Sequence, residues 1–258
     1  MLDVHAPHSS IHRWRDFFIH MATVSIGLLI ALGLEAAAEW VHHRNQVAET
    51  RSALQRELQQ DRGRFAANTG YFRNESAMLQ NNLIVLRYLK LHPGAPPAQL
   101  PGILLWESNN ARMEDSAWKT ACQTGITAFM PQEEVMQASQ LYAFFDRIDR
   151  AHEEEADALI DAIGSASDDP DPTHWSPTEI SDQLTRTQRI LSRHLRHGFL
   201  MQNLAEQYPD FNPAPQREEL ARLAHLSSLD NQPEFAAARQ LTHQRMQAAA
   251  QPAAPPAN

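Results

Sequence analysis

One stretch constrains this chain more than any other: from Phe17 to Leu34 it reads FFIHMATVSIGLLIALGL, with no formal charge and a single histidine, His20. A helix over this run covers about 27 Å at 1.5 Å per residue, and continuing to Ala38 adds about 6 Å. That length matches a hydrocarbon layer of ~30 Å with little tilt. Trp14 and Arg15 precede the run and Trp40 follows it, where amphipathic rings favour a membrane–water interface. The residues predict a short N-terminal segment (1–16) and one transmembrane helix (17–40), with the lipid bilayer as its partner. A competing reading is a cleavable signal peptide, since Ala36, Ala37 and Ala38 offer a small-residue site before Glu39. The apolar region is longer than a signal core, and helical periodicity runs on past the cut, so a retained anchor is expected.

Orientation follows from basic residues near the span. Arg13, Arg15 and the terminal amine lie before it, whereas Arg44, Arg51 and Arg56 follow more loosely. This favours the N-terminus inside and the large domain exported. Thr23, Gly27, Ala31, Glu35 and Glu39 recur every four residues. Thr23, Gly27 and Ala31 set small side chains on one stripe, a face through which two helices can approach closely and form a homo-oligomer.

The run Trp14-Arg15-Asp16-Phe17, then Gly27 to Leu32, then Glu35, Glu39-Trp40 and His42-His43-Arg44, resembles the anchor of uncharacterised bacterial single-pass membrane proteins, families designated domains of unknown function. Ser116 to Ala121, with Thr124-Gly125, resembles one of their internal motifs. The resemblance is most specific over residues 12–44. It implies a membrane protein of unassigned role and supplies no active site; in a bacterial inner membrane, the exported orientation read from the basic residues makes the helical domain periplasmic.

Beyond the span, Val47, Leu54, Leu58, Phe65, Phe72, Leu79, Leu83 and Leu86 fall at helical steps. They predict an amphipathic helix continuous with the membrane helix, weakened or broken at Gly63 and Gly70. The His92-Pro93-Gly94 stretch ends it. The short apolar piece 102–106 reads equally as a strand or a helical turn. A short helix is expected over 115–124 with Gly125 as its stop. A second long one begins at Pro131, with Val135, Ala138, Leu141, Phe145, Ile148, Leu159 and Ile163 on its apolar side. After a loop over 167–177, Ser176-Pro177-Thr178-Glu179 has the makings of a capping box. The helix it opens carries Ile180, Leu184, Leu191, Leu195 and Phe199. Shorter helices are expected over 216–226 and 233–246, and a disordered tail over 251–258. The fold class expected is all-α: one transmembrane helix continuing into a soluble antiparallel helical bundle, residues 41–250.

The chain has 22 basic and 31 acidic residues and a net charge of -9, which argues against nucleic acid as a partner. Lys appears only at Lys90 and Lys119, a trace of GC-rich coding. The single cysteine, Cys122, forbids an intrachain disulfide and lies in helix with no activating neighbour, so a buried inert thiol is expected. Phosphate loops, nucleophile elbows, H-E-x-x-H and C-x-x-C motifs are missing from the sequence.

Thirteen histidines raise the question of metal. Glu35, Glu39, His42 and His43 can share one helix edge and form the best local cluster. His152 with Glu153, Glu154 and Glu155, and His194 with His197, are further candidates. A Glu–His pair three residues apart is the device of carboxylate-bridged two-metal bundles, but it needs a matching pair from another helix. The sequence does not say that these groups meet. The first cluster therefore reads as an interfacial polar collar, with Glu35 marking the membrane edge or bonding across a helix pair. His152, on the apolar side between Ile148 and Leu159, reads as a hydrogen-bonded core residue. Asp168, Asp169 and Asp171 lack calcium-loop spacing and read as a solvated turn. No catalytic, cofactor-binding or metal-ligating residue is assigned, and no cofactor. The leading expectation is a non-enzymatic envelope protein that binds a partner protein or senses. The alternative is a membrane-tethered metal-binding or redox helical bundle.

Overall fold

The computed structural model describes residues 14–166 and 169–227. The expected helix over 233–246, the tail at 251–258, most of the N-terminal segment and Asp168 lie outside them. Five α-helices occur among the described residues: α1 Trp14–Leu91, α2 Ser116–Gln123, α3 Gln132–Ala166, α4 Pro177–Gln207 and α5 Arg217–Ser227, with no strand. The fold is all-α, an apolar N-terminal helix running on into a helical bundle.

α1 is one helix of 78 residues, and it passes through Gly63 and Gly70 without a break. Each glycine costs a helix roughly 1 kcal/mol relative to alanine. Phe65 and Phe72, flanking them, are fully buried. Burying one such ring contributes about 1.5–3 kcal/mol, enough to outweigh the glycines and override the expected break. α1 stops at Leu91, where Pro93 can no longer supply an N–H and Gly94 turns the backbone to φ 76°.

By its contacts the chain divides into two units. The first comprises residues 14–56 and 116–136 among those described. Residues 14–42 of α1 are exposed throughout, including Phe18, Ile26, Leu29 and Leu34. This part of α1 is long and apolar enough to cross a membrane. Further on, Val47 and Leu54 are buried and His43 stacks on Phe129 at 3.7 Å. α2 ends at Gly125, whose φ of 73° reverses the chain as expected. Arg51 grips Glu134 in the first turn of α3 with two hydrogen bonds of 2.9 Å. Cys122 is exposed, correcting the expectation of a buried thiol, because it lies on the outer side of a helix whose buried residue is Ala121.

The second unit, residues 57–115 and 137–227 among those described, is the bundle. Its largest fully buried side chains come from α1 (Phe65, Phe72, Leu79, Leu83, Leu86), α3 (Phe145, Ile148) and α4 (Ile190, Leu191, Met201). Asp161 pairs with Arg186 and Glu154 with Arg196, so numbers rise along α3 as they fall along α4. The two helices are antiparallel. α1 also opposes α4: Ser76 meets His194, while Val85 and Leu89 pack with Ile180. α4 opens with the expected capping box, Ser176 Oγ accepting from Glu179 N–H and Glu179 accepting from Ser176 N–H. Ile163 and Phe199, placed on the apolar stripes by periodicity, are instead exposed at 39% and 44%.

Residues 102–106 take neither of the forms open to them in sequence, and with 107–114 they lie outside helix and strand. They run extended along α1 as a strap whose backbone is bonded by side chains rather than by a second strand. Asn82 pairs with Leu105, its Nδ2 donating to the carbonyl at 2.6 Å and its Oδ1 accepting from N–H at 3.0 Å. Glu75 accepts from Asn109 N–H at 2.8 Å, Asn68 holds both polar groups of Ala111, and Asp61 accepts from Glu114 N–H at 2.9 Å. Asp61, Asn68, Glu75 and Asn82 are spaced by seven residues and all are buried. From 61 to 82 the helix rises about 32 Å, and nine extended residues span about 31 Å, so the two ladders keep step.

Candidate metal centre

The bundle core holds a group of ionisable side chains from three helices. α1 supplies Glu75 and Ser76, α3 supplies His152 and Glu155, and α4 supplies His194 and His197. Glu75 is 5% exposed, Glu155 4%, His194 0% and His197 2%, while His152 is half-buried. Burying such groups is costly unless each finds a partner or a metal. His152 and Glu155 are one turn apart on α3, as are His194 and His197 on α4, so both members of each pair face the same neighbour. Gly198 makes their approach to α1 possible: a Cβ there would meet Phe72 Cζ at 2.5 Å and Leu220 Cδ2 at 2.6 Å.

Glu155 is the hub. Its Oε1 accepts from His194 Nδ1 at 2.6 Å and its Oε2 from His197 Nδ1 at 3.2 Å. His194 stacks on Phe72 at 4.0 Å with its plane tilted by 6°. Ser76 Oγ lies 2.8 Å from Phe72 O and 2.8 Å from His194 Nε2. A hydroxyl has one proton, so with that proton donated to the Phe72 carbonyl Ser76 receives Nε2–H from His194, and Nδ1–H toward Glu155 then makes the ring an imidazolium. Nδ1 faces Glu155; a metal there would take the place of the proton and need the 2.6 Å contact to open. Fixing a ring through its far nitrogen is how metal-ligating histidines are oriented.

Two ring nitrogens are left over. His152 Nδ1 and His197 Nε2 are both buried without a hydrogen-bond partner. This corrects the reading of His152 as a hydrogen-bonded core histidine: α3 delivers its Nδ1 beside a second imidazole, His197, whose ring centre is 5.4 Å away and which does not bond to it. Two sets of donors emerge, His152–Glu155–His197 and Glu75–Glu155–His194, each with one donor atom per residue and all within 4.8 Å of one another. Donors placed tetrahedrally at about 2.1 Å from a metal lie about 3.4 Å apart, so the wider pairs would close by up to about 1.4 Å and the 2.6 Å His194–Glu155 contact would open.

The electrostatics of the cluster split its carboxylates. Burial alone raises the Glu155 carboxyl, but the charge and hydrogen bond of His194, joined by His197, outweigh it and hold the group down to about 2. Glu75 is pushed up to about 7, by burial first and by the neighbouring Glu155 second, despite the Asn109 N–H it accepts. Burial and then the proximity of His197 lower His152.

The cluster favoured by sequence spacing is not this one. Glu35, Glu39 and His42 are exposed, and His43 bonds Gln46 and stacks on Phe129. Of the acidic run after His152, only Glu155 turns inward; Glu154 pairs with Arg196 and Glu153 lies 3.7 Å from Arg112. Asp169 and Asp171 flank His174 in the turn before α4. Glu75 and Ser76 escaped the sequence reading. Their signal was available: Glu75 belongs to the buried seven-residue series of Asp61, Asn68 and Asn82.

No protein-family model matches the chain, and no curated protein or solved structure is detectably similar to it.

Proposed function

We propose that this chain is a single-pass membrane protein whose helical bundle binds a transition metal in the His–Glu cluster of α1, α3 and α4. The observation that carries the reading is the pair of buried, unpartnered nitrogens, His152 Nδ1 and His197 Nε2, beside a carboxylate already flanked by two imidazoles. An apolar core of the same volume avoids that cost, so the polar cluster calls for a ligand that uses it. Imidazole and carboxylate donors without thiolate suit iron, manganese or zinc. This replaces the partner-binding or sensing role, which rests on bundle shape alone, with one that rests on a specific site.

The membrane half of the proposal is supported by the exposed apolar length of α1, bounded by Trp14 and Trp40. Arg15 ahead of the span favours an exported bundle, periplasmic if the host is a bacterium of the kind the anchor resembles. Reporter fusions to either end of the chain test the orientation, and a cytoplasmic C-terminal reporter overturns it. Metal analysis of the full chain purified in mild detergent tests the site. Bound iron, manganese or zinc, reduced in Glu155→Gln, is the expected result. Purified chain without metal that also takes none up on titration ends the proposal.

A further inference from the structure

The two donor sets share one residue. Resting on the metal reading above, we infer that the cluster holds two metal ions, bridged by the Glu155 carboxylate. Its two oxygens are already divided: Oε1 faces His194 and Oε2 faces His197. An ion on the Oε1 side takes His194 and Glu75; an ion on the Oε2 side takes His197 and His152. Glu155 is the residue common to both sets, so an ion held by one set leaves two of the five ligands idle. Bridged pairs sit about 3.5–4 Å apart, a separation that one carboxylate spans.

Charge sets a condition on the count: the two carboxylates balance one divalent ion, and a second ion needs two further negative charges. Two divalent ions bring four positive charges, and Glu75 and Glu155 supply two negative ones. The three histidines bind neutral, so the remaining charge is left for water-derived or anionic ligands. Each ion has three protein donors, fewer than iron or manganese accepts, and open positions are a mark of reactive rather than structural sites. There is also a way in. A cavity of about 400 Å³ is lined by Tyr71, Asn74, Glu75, Asn81, Glu107 and Asn109, so Glu75 belongs to both the cluster and the cavity wall. Ala77, Met78 and Leu105 complete the lining, so amides and two carboxylates are set among apolar side chains.

The test is a titration of the full chain in detergent, stripped with chelator and reloaded with Co(II), read by d–d absorption and by metal content. Wild type is expected to saturate at two Co(II) per chain. His152→Ala and Glu75→Gln are each expected to saturate at one, with different absorption bands, and the double variant to bind none. Mn(II)-loaded wild type is expected to give the spin resonance of an exchange-coupled pair. Either single variant is expected to restore the signal of isolated Mn(II). Circular dichroism of each variant confirms the fold, and the wild-type count needs no variant at all. Saturation of wild type at one ion overturns the two-metal inference while leaving the metal reading intact. Absence of any binding overturns both.

Discussion

Two regions of this molecule invert the ordinary rule of inside and outside, in opposite directions. Residues 17–34 carry no formal charge and are exposed, whereas Glu75, Glu155, His194 and His197 are ionisable and buried. In a globular protein either exception is rare. The difference lies in what each lacks. The exposed helix has satisfied its own backbone and wants only an apolar surrounding, which any lipid supplies. The buried cluster has its surroundings fixed by Phe72, Ser76 and Gly198 and, on the metal reading, takes a particular ligand at one place. One exception predicts a solvent; the other predicts a stoichiometry.

The largest effect comes from breaking the first exception. Leu28→Arg together with Ile30→Arg places two charges in the middle of the span. At about 2.5–3.5 kcal/mol each, insertion should be disfavoured by several thousand-fold or more. Carbonate extraction should then find the chain in the soluble fraction or degraded, while wild type stays in the pellet; persistence of the double variant in the pellet would contradict the anchor.

Ligand supply sharpens the second exception. At a hundredfold excess of free metal over Kd, binding contributes about 2.7 kcal/mol to the folded state. For a domain of this size that is a rise in Tm of roughly 5–10 °C, measurable by differential scanning fluorimetry with and without chelator. Equal Tm values in the two conditions would mean that the cluster gains nothing from metal.

Gly198→Ala asks how tightly the surroundings are fixed. Its new methyl meets Phe72 and Leu220, so a loss of about 1–3 kcal/mol is expected in chemical denaturation, together with weaker metal binding. A variant as stable as wild type would mean that α4 can move away from α1 freely.

The smallest effect is a pH dependence outside the cluster. Asp149 is pushed up to about 6 by burial, with Arg112 only partly opposing it. A carboxyl raised in the folded state favours folding below its unfolded pKa and loses that contribution as pH rises through the folded one. Asp149→Asn should therefore match wild type near pH 4 and become progressively more stable than it up to about pH 7, flat beyond. Melting curves across that range check the sign; a gap that closes with rising pH would reverse it.

What could be seen in the sequence was whatever the chain settles within a few residues. The stripe from Phe65 to Leu86, the stop at Gly125 and the capping box at Ser176 depend on spacing and backbone conformation alone. The cluster depends on registry between helices: Glu155 meets His194 only because α3 and α4 are antiparallel with Asp161 opposite Arg186. No local pattern encodes that pairing, although both half-motifs were visible. Glu75 was hidden for another reason. A charged residue beside Phe72 and Leu79 resembles a solvated neighbour unless Asp61, Asn68 and Asn82 are noticed at the same interval. Gly63 and Gly70 misled because helix propensity is weak beside the burial of two aromatic rings.

The strap on α1 has a consequence for how this protein tolerates change in length. A helix and an extended chain laid side by side are two rulers with different divisions, about 1.5 Å and 3.3 Å, and they agree here only because the rungs at 61, 68, 75 and 82 meet strap residues 114 to 105. One residue inserted in the strap displaces everything beyond it by a whole division and turns its bonding groups to the opposite side. One residue inserted in that part of α1 swings every later rung by about 100°. Neither error can be repaired by the other. Loops elsewhere on the chain can lengthen or shorten, but this pair of segments is metered, and Glu75 is one of its marks.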